Sequence, residues 1–164
     1  MILLDANIFM YAGGAPHPNK GPSVAFLERV ARDEVDAAVN AEVLQEILHR
    51  YRAIQRWEDG RRVYDHARQV VPQVVPITAA IVDRARTLLD MYPTFMARDA
   101  LHAAVYELVE AESWCSYDRD FDVLPWLMRH EPLYYVFCVS HTTSPRSSRR
   151  IPPTKAGTGT SGTR

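Results

Sequence analysis

The chain opens with an apolar run of strand length that stops abruptly at a carboxylate. Residues 1–4 read Met-Ile-Leu-Leu, and Asp5, Ala6 and Asn7 follow directly. An apolar run of this kind predicts a buried strand. Ligands of open α/β sheets bind in the crevice at the carboxyl ends of the strands, so the pattern predicts that Asp5 lies at a binding edge. A solvated strand cap is the alternative.

Strand and helix patterns then alternate along the chain. Strands that alternate with helices predict a parallel sheet covered by helices on both faces, which is an α/β fold. Helical patterns cover about residues 22–33, 40–57, 58–70, 78–92 and 97–108, strand patterns cover residues 36–39, 74–77 and 113–117, and residues 133–139 are apolar enough for a last strand.

A second acidic residue, Glu46, lies on the helical pattern that follows Asn40. Apolar residues recur there at helical spacing, and an asparagine suits the N-cap position. Glu46 lies beside the apolar stripe, but Glu42 is four residues away and shares its face. Spacing alone therefore leaves either glutamate as a candidate ligand, and an exposed helix glutamate is the alternative.

The third acidic residue, Asp99, lies in the first turn of the helical pattern at residues 97–108. Its alternative role is to stabilise the N-terminus of that helix, which acidic residues often do. His102, one turn further on, is interpreted as a helix residue whose polar atoms are satisfied. The predicted inward face comprises Leu101, Ala104, Val105 and Leu108.

The fourth acidic residue, Asp118, follows a short apolar and aromatic segment and repeats the position of Asp5. Asp120 and Asp122 alternate with it, so a polar turn is one alternative. A calcium-binding loop is excluded, because no glycine stands at its sixth position and no glutamate closes its twelfth.

These four segments, in this order, resemble the PIN domain, and in particular the small VapC-like toxins of bacterial toxin–antitoxin pairs. The resemblance covers about residues 1–132. It rests on Leu-Leu-Asp-Ala-Asn, Val-Leu-Gln-Glu-Ile-Leu, Arg-Asp-Ala-Leu-His-Ala-Ala and Ser-Tyr-Asp-Arg-Asp-Phe. It implies a three-layer α/β/α sandwich with a central, mainly parallel sheet of four to five strands.

The resemblance also implies a metal-dependent catalytic site. Its acids would be Asp5, Glu46, Asp99 and Asp118, supported by Asn7, Ser116 and Asp120. Three of them, Asp5, Asp99 and Asp118, would bind Mg²⁺, for which Mn²⁺ can substitute. Glu46 would act through a water molecule or align the attacking water. Ala6 departs from the family pattern, which usually has a small hydroxyl residue at this position.

The implied activity is that of an endoribonuclease that cuts tRNA or ribosomal RNA. The implied partners are the RNA substrate, a cognate antitoxin protein that covers the acidic pocket, and a second copy of the chain in a homodimer. A DNA-directed nuclease of the same fold and a noncatalytic PIN-like RNA-binding protein are the alternatives. A phosphatase of the haloacid dehalogenase type is disfavoured, because Asn7 stands where that class needs a second aspartate.

Composition agrees with one compact domain, predicted at residues 1–139, and a low-complexity basic tail at residues 140–164. The chain is 47% hydrophobic and 24% charged, with two cysteines, so neither a disulfide framework nor a zinc site is indicated. It has no run near the ~20 apolar residues that a membrane span requires. We therefore expect a cytoplasmic protein that does not contact a membrane.

Charge is divided unevenly along the chain. Residues 1–131 hold 20 acidic and 14 basic residues, a balance of −6. Such a domain repels nucleic acid phosphates unless cations occupy its acidic pocket. Arg50, Arg52 and Arg56 lie on one helical segment and form a candidate substrate-binding surface. The alternative is a solvated helix face paired with nearby acids.

Overall fold

The computed structural model describes residues 1–138, without the side chain of Cys138, and the predicted tail at residues 140–164 lies outside that range. The elements are β1 (Ile2–Leu4), α1 (Ala6–Gly13), α2 (Lys20–Ala31), β2 (Ala37–Asn40), α3 (Ala41–Ala53), α4 (Trp57–Val70), β3 (Val74–Val75), α5 (Ala79–Met91), α6 (Ala97–Leu108), β4 (Ser113–Cys115), a 3₁₀ helix (Arg119–Val123), β5 (Arg129–His130) and α7 (Pro132–Cys138). No helix in this part of the chain has both the length and the apolarity to cross a membrane.

The five strands form one sheet in the order β3-β2-β1-β4-β5, and every neighbouring pair is parallel. The strand β1 lies at the centre, where Leu3 pairs with Ala38 of β2 on one side and with Trp114 of β4 on the other. Parallel strands that share a direction bring all their carboxyl ends to one edge of the sheet. The predicted parallel α/β sheet is confirmed, and that edge collects the residues after β1, β2 and β4.

Helices cover both faces of this sheet. Leu3 and Leu4 are completely buried although successive side chains of a strand point to opposite faces. On the helical layers α5 packs against α6, α3 against α4, and α2 against α7. The three-layer arrangement predicted for the chain is therefore confirmed.

The C-terminal end of the described chain differs from the prediction. The strand predicted at residues 133–139 is wrong over the part that the structure describes, because Pro132–Cys138 forms the helix α7. Proline suits the first position of a helix, where its missing N–H is not needed. Tyr135 anchors the helix, since its ring lies 5.0 Å from that of Phe26 and its hydroxyl donates to Ser113 Oγ at 2.8 Å. The edge strand is instead β5, only two residues long.

Several boundaries and faces also differ. The helix predicted at residues 40–57 ends at Ala53, because Gln55 adopts a φ of 58° and breaks it. The helix α1 was not predicted, and the strand predicted at residues 74–77 is limited to Val74–Val75. Leu108, predicted to face inward, is 51% exposed because α6 instead buries a face that includes His102.

Candidate active site

Asp5 lies where β1 ends and α1 begins, at the carboxyl edge of the sheet. Its backbone N–H donates to the carbonyl of Cys115 at 3.0 Å, which fixes it beside the end of β4. The side chain is only 6% exposed and accepts from Asn7 Nδ2 at 2.8 Å and from Ser116 Oγ at 2.5 Å. Burial raises the pKa of Asp5, although the Ser116 hydrogen bond opposes this effect.

Ser116 connects three of the predicted site residues. While its hydroxyl donates to Asp5, its oxygen accepts from Asn7 Nδ2 at 3.0 Å and from the backbone N–H of Asp118 at 2.9 Å. The side chain is completely buried, so these contacts hold the segment after β4 against the end of β1. Ser116 thus supplies a hydroxyl to Asp5 although Ala6, itself completely buried, has none.

Asp118 stands before the 3₁₀ helix and caps it, since its Oδ1 accepts from the backbone N–H of Asp120 at 2.9 Å. Asp120 is exposed and takes part in this contact through its backbone. Asp122 has a different role, because it accepts two hydrogen bonds from Arg129 at 2.6 Å and 3.1 Å. The Asp122–Arg129 pair holds the 3₁₀ helix to β5.

Asp99 occupies the first turn of α6, as predicted, and is partly buried. Burial, together with the negative charges of Asp118, Asp5 and Asp120, raises the pKa of Asp99 to about 6. Carboxylates raise one another's pKa only when they lie close together. Asp99, on α6, is therefore coupled electrostatically to Asp5 and Asp118.

Glu46 approaches this group from α3. Its carboxylate lies 3.6 Å from Arg98 Nη1 and 3.8 Å from His102 Nε2, and it contributes to the raised pKa of Asp5. Burial alone would raise the pKa of Glu46, but the proximity of the His102 ring nitrogen and the positive charges of Arg98 and His49 outweigh it and lower the pKa. The carboxylate of Glu42 also lies near Arg98, with Oε1 3.4 Å from Nε. Of the two glutamates that spacing left open, Glu46 is the one coupled to Asp5.

The carboxylates form an open group. Within residues 1–138 no three Asp, Glu, His or Cys side chains converge tightly enough to make a ready-made metal cluster. Their chemistry still fits Mg²⁺, which prefers carboxylate oxygens and retains several of its own waters, so that it needs few protein ligands. The pKa values of Asp5 and Asp99 are raised, which means that their ionised forms are disfavoured, and a bound cation would stabilise those forms. The donor set therefore suits a hydrated hard cation.

A cleft of about 380 Å³ adjoins Glu46. Glu46, His49, Arg50 and Ala53 recur at helical spacing, so one face of α3 forms a wall of the cleft. Arg52 and Arg56 lie elsewhere: Arg52 is 5.6 Å above the ring of Trp57, and Arg56 pairs with Asp59 at 2.7 Å. The predicted arginine surface is therefore divided. The cleft is lined by Met10, Glu46, His49, Arg50, Ala53 and Arg98.

Sequence patterns missed two polar residues beside the acids. Asn40 ends β2 and His102 lies on α6; both are buried, and Asn40 Nδ2 donates to His102 Nδ1 at 2.9 Å. The interpretation of His102 as a satisfied residue is wrong, because its Nε2 has no hydrogen-bond partner among the described residues. The one sequence signal was the polarity of His102 on an otherwise apolar helix face.

Comparison with known proteins identifies the same architecture. Residues 2–127 match the family described as "PIN domain". The chain is 43% identical over 129 residues to the ribonuclease VapC13 of Mycobacterium tuberculosis, an alignment that covers 79% of this chain and 98% of that protein.

Two solved structures share the fold at low sequence identity. One is VapC20 of Mycobacterium tuberculosis, described as a sarcin–ricin-loop-cleaving toxin, with a TM-score of 0.61, 18% identity, and coverage of 75% of this chain and 94% of that one. The other is a toxin–antitoxin complex from Klebsiella pneumoniae, with a TM-score of 0.58, 16% identity, and coverage of 80% and 98%.

Proposed function

Because the chain belongs to the PIN domain family and is a ribonuclease of the VapC type, we propose that it is a Mg²⁺-dependent endoribonuclease whose metal ligands are Asp5, Asp99 and Asp118. One observation carries this proposal. Asp5 is a buried carboxylate whose two hydrogen-bond donors are both neutral, and it lies in the same electrostatic group as Asp99, whose pKa is raised to about 6. A divalent cation supplies the positive charge that this group needs.

The chemistry divides among the residues of the group. When bound, Mg²⁺ would supply Lewis-acid stabilisation of the phosphate and a hydroxide nucleophile, and Mn²⁺ can substitute for it. Glu46 has a lowered pKa and stays ionised, so it can align the attacking water as a hydrogen-bond acceptor. Asn7 and Ser116 hold the Asp5 carboxylate in one orientation, and Asp118 is held by the same hydroxyl of Ser116.

We propose structured RNA, either tRNA or ribosomal RNA, as the substrate. VapC20, which shares this fold, is described as cleaving the sarcin–ricin loop. Sequence-specific RNA recognition mostly targets loops and unstacked bases, while phosphate contacts provide affinity without sequence choice. Its position in the cleft beside Glu46 supports a role for Arg50 in binding a phosphate that flanks the scissile bond. Arg52 and Arg56 would contact the RNA further from the reacting group.

The partners follow from the same family membership. We propose that a cognate antitoxin covers the acidic edge, that the chain acts in the cytoplasm, and that it forms a homodimer. The Klebsiella structure with this fold is a toxin–antitoxin complex. Residues 1–139 would form the whole nuclease domain, and residues 140–164 would be dispensable for cleavage.

The nuclease proposal is tested with the purified chain, total bacterial RNA and single-stranded DNA. We expect RNA cleavage with Mg²⁺ or Mn²⁺ and none with excess chelator, because the carboxylates alone cannot activate water at neutral pH. Cleavage that persists in chelator would contradict the metal requirement. Preferential cutting of the DNA would favour the DNA-directed nuclease, and tight RNA binding without cleavage would favour the noncatalytic alternative.

The role of Arg50 is tested by comparing Arg50→Ala with the matched variant Arg52→Ala. Arg50→Ala should weaken RNA binding about tenfold at low salt, because a hydrogen bond to a charged group contributes about 1.5 kcal/mol. Arg52→Ala should change affinity by about twofold or less, since Arg52 lies over Trp57 and outside the cleft. Binding is measured at several salt concentrations with Ca²⁺ in place of Mg²⁺, so that a cation still neutralises the acidic pocket. Equal losses for the two variants would contradict a phosphate site in the cleft.

A further inference from the structure

His102 lies behind the acidic group, between the end of β2 and the side of α3 that carries Glu46. It is 2% exposed, so its ring nitrogens cannot rely on bulk water for hydrogen bonds. The ring is enclosed by aromatic side chains, with centroids of Trp114 at 5.1 Å and Phe121 at 6.4 Å. Burying a polar group in apolar surroundings costs folding free energy unless the group is hydrogen-bonded, so each ring nitrogen of His102 is expected to have a partner.

The N-cap of α3 determines which nitrogen of His102 carries the proton. Asn40 Oδ1 accepts from the backbone N–H of Val43 at 3.1 Å, which fixes the amide so that Nδ2 faces His102. An amide nitrogen can only donate. His102 Nδ1, 2.9 Å from it, must therefore be the acceptor, and the proton of the neutral imidazole is on Nε2.

The protonated nitrogen points toward Glu46. His102 Nε2 lies 3.8 Å from Glu46 Oε2, which is beyond hydrogen-bond distance, and it has no other hydrogen-bond partner among the described residues. A buried donor is thus held in place by Asn40 and faces a carboxylate that is 25% exposed. A shift of about 1 Å in the Glu46 side chain would complete the hydrogen bond.

We propose that His102 is a positioning residue that orients the Glu46 carboxylate through its Nε2–H. The backbone of α6 carries Asp99 one turn before His102, so one helix supplies both a proposed metal ligand and the group that sets the angle of Glu46. Asn40, in turn, links this arrangement to the end of β2. The inference rests on the proposed role of Glu46 in aligning the attacking water.

Two substitutions separate positioning from packing. In His102→Gln the side-chain amide reaches the place of Nε2 and can still donate to Glu46, whereas in His102→Asn it reaches only the place of Nδ1 and keeps the contact with Asn40. Each variant keeps one of the two contacts, so their melting temperatures should be similar. We expect His102→Gln to keep kcat within about threefold and His102→Asn to lose about 10- to 100-fold, as losses of supporting residues at metal sites typically do.

The separate effects on kcat and KM give a second criterion for the positioning role of His102. Because Glu46 acts on water and not on RNA, KM should stay within about twofold in both variants. Equal losses of kcat in the two variants, or a wild-type kcat in His102→Asn, would overturn the positioning role. The tautomer is measured on the unmodified, metal-free chain by ¹⁵N NMR of the imidazole, and a proton on Nδ1 would overturn the inference even if a variant failed to fold.

Glu46→Gln distinguishes this inference from the proposed function. If Glu46→Gln loses activity while His102→Asn retains it, only the positioning inference is wrong. If Glu46→Gln cleaves RNA at the wild-type rate, the proposed role of Glu46 is wrong and the inference falls with it. If Glu46→Gln and His102→Asn both lose kcat while His102→Gln retains it, both are supported.

Discussion

Asp5→Asn is expected to reduce RNA cleavage at least about 100-fold while the protein stays folded, because loss of a direct ligand should exceed the 10- to 100-fold losses typical of supporting residues. The substitution keeps the shape of the side chain and an oxygen that can accept from Ser116. It removes the buried negative charge that the proposed metal ion would neutralise. The metal-free variant should therefore be at least as stable as the wild type at neutral pH.

Asp83→Asn is the matched control, because Asp83 is exposed on α5 and is not one of the proposed site residues. Cleavage by this variant should equal that of the wild type. Single-turnover cleavage of RNA with Mg²⁺ and thermal unfolding in chelator measure the two effects separately. Retention of more than a tenth of wild-type cleavage by folded Asp5→Asn would show that Asp5 is not a metal ligand.

Asp99→Asn is expected to abolish cleavage and at the same time to stabilise the metal-free protein at neutral pH. The pKa of Asp99 is 3.8 as a reference and about 6 in the folded chain, so ionisation of Asp99 costs folding free energy. The cost is absent below about pH 4 and complete above about pH 6. The wild type therefore loses stability relative to the variant as pH rises through this window.

The stabilisation expected for Asp99→Asn is limited because Asp99 is only partly buried. Solvent screening reduces the expected gain to about 1 kcal/mol, which corresponds to a rise of about 2–4 °C in Tm. Thermal unfolding in chelator at pH 4 and pH 7.5 measures it, with Asp83→Asn as the control. A rise of the same size at both pH values would show that something other than the carboxylate charge is responsible.

The same pKa predicts how cleavage by the wild type depends on pH. A protonated carboxyl cannot bind a cation, so Mg²⁺ must compete with the proton on Asp99. Cleavage at limiting Mg²⁺ should fall as pH decreases through about 6, and higher Mg²⁺ should move this fall to lower pH. A profile that does not respond to the Mg²⁺ concentration would contradict this linkage.

Much of the fold and of the site was predictable because local patterns carry it. The apolar run before Asp5 specifies β1, and Thr78 caps α5 as its sequence context indicates, with its hydroxyl accepting from Ile81 N–H. The positions of Asp5, Asp99 and Asp118 follow from strand ends and a helix start, which are local signals. Whether those three bind a metal stays a prediction.

Other features depend on contacts between distant residues and had no local signal. The strand β5 consists of two polar residues, Arg129 and His130, which form a strand only through backbone pairing with β4. The segment that follows is apolar enough for a strand, yet it forms the helix α7, which packs against α2. The pairing of Asn40 with His102 joins residues 62 positions apart, so neither helix pattern alone could indicate it.

The adjacency of β1 and β4 at the centre of the sheet has a consequence for synthesis. Asp5 and its Ser116 partner are separated by 111 positions, and Asp99 is also encoded late in the chain. A ribosome must therefore synthesise the chain beyond Ser116 before these residues can meet. The nascent chain therefore cannot have the activity of the folded protein until β4 has docked beside β1.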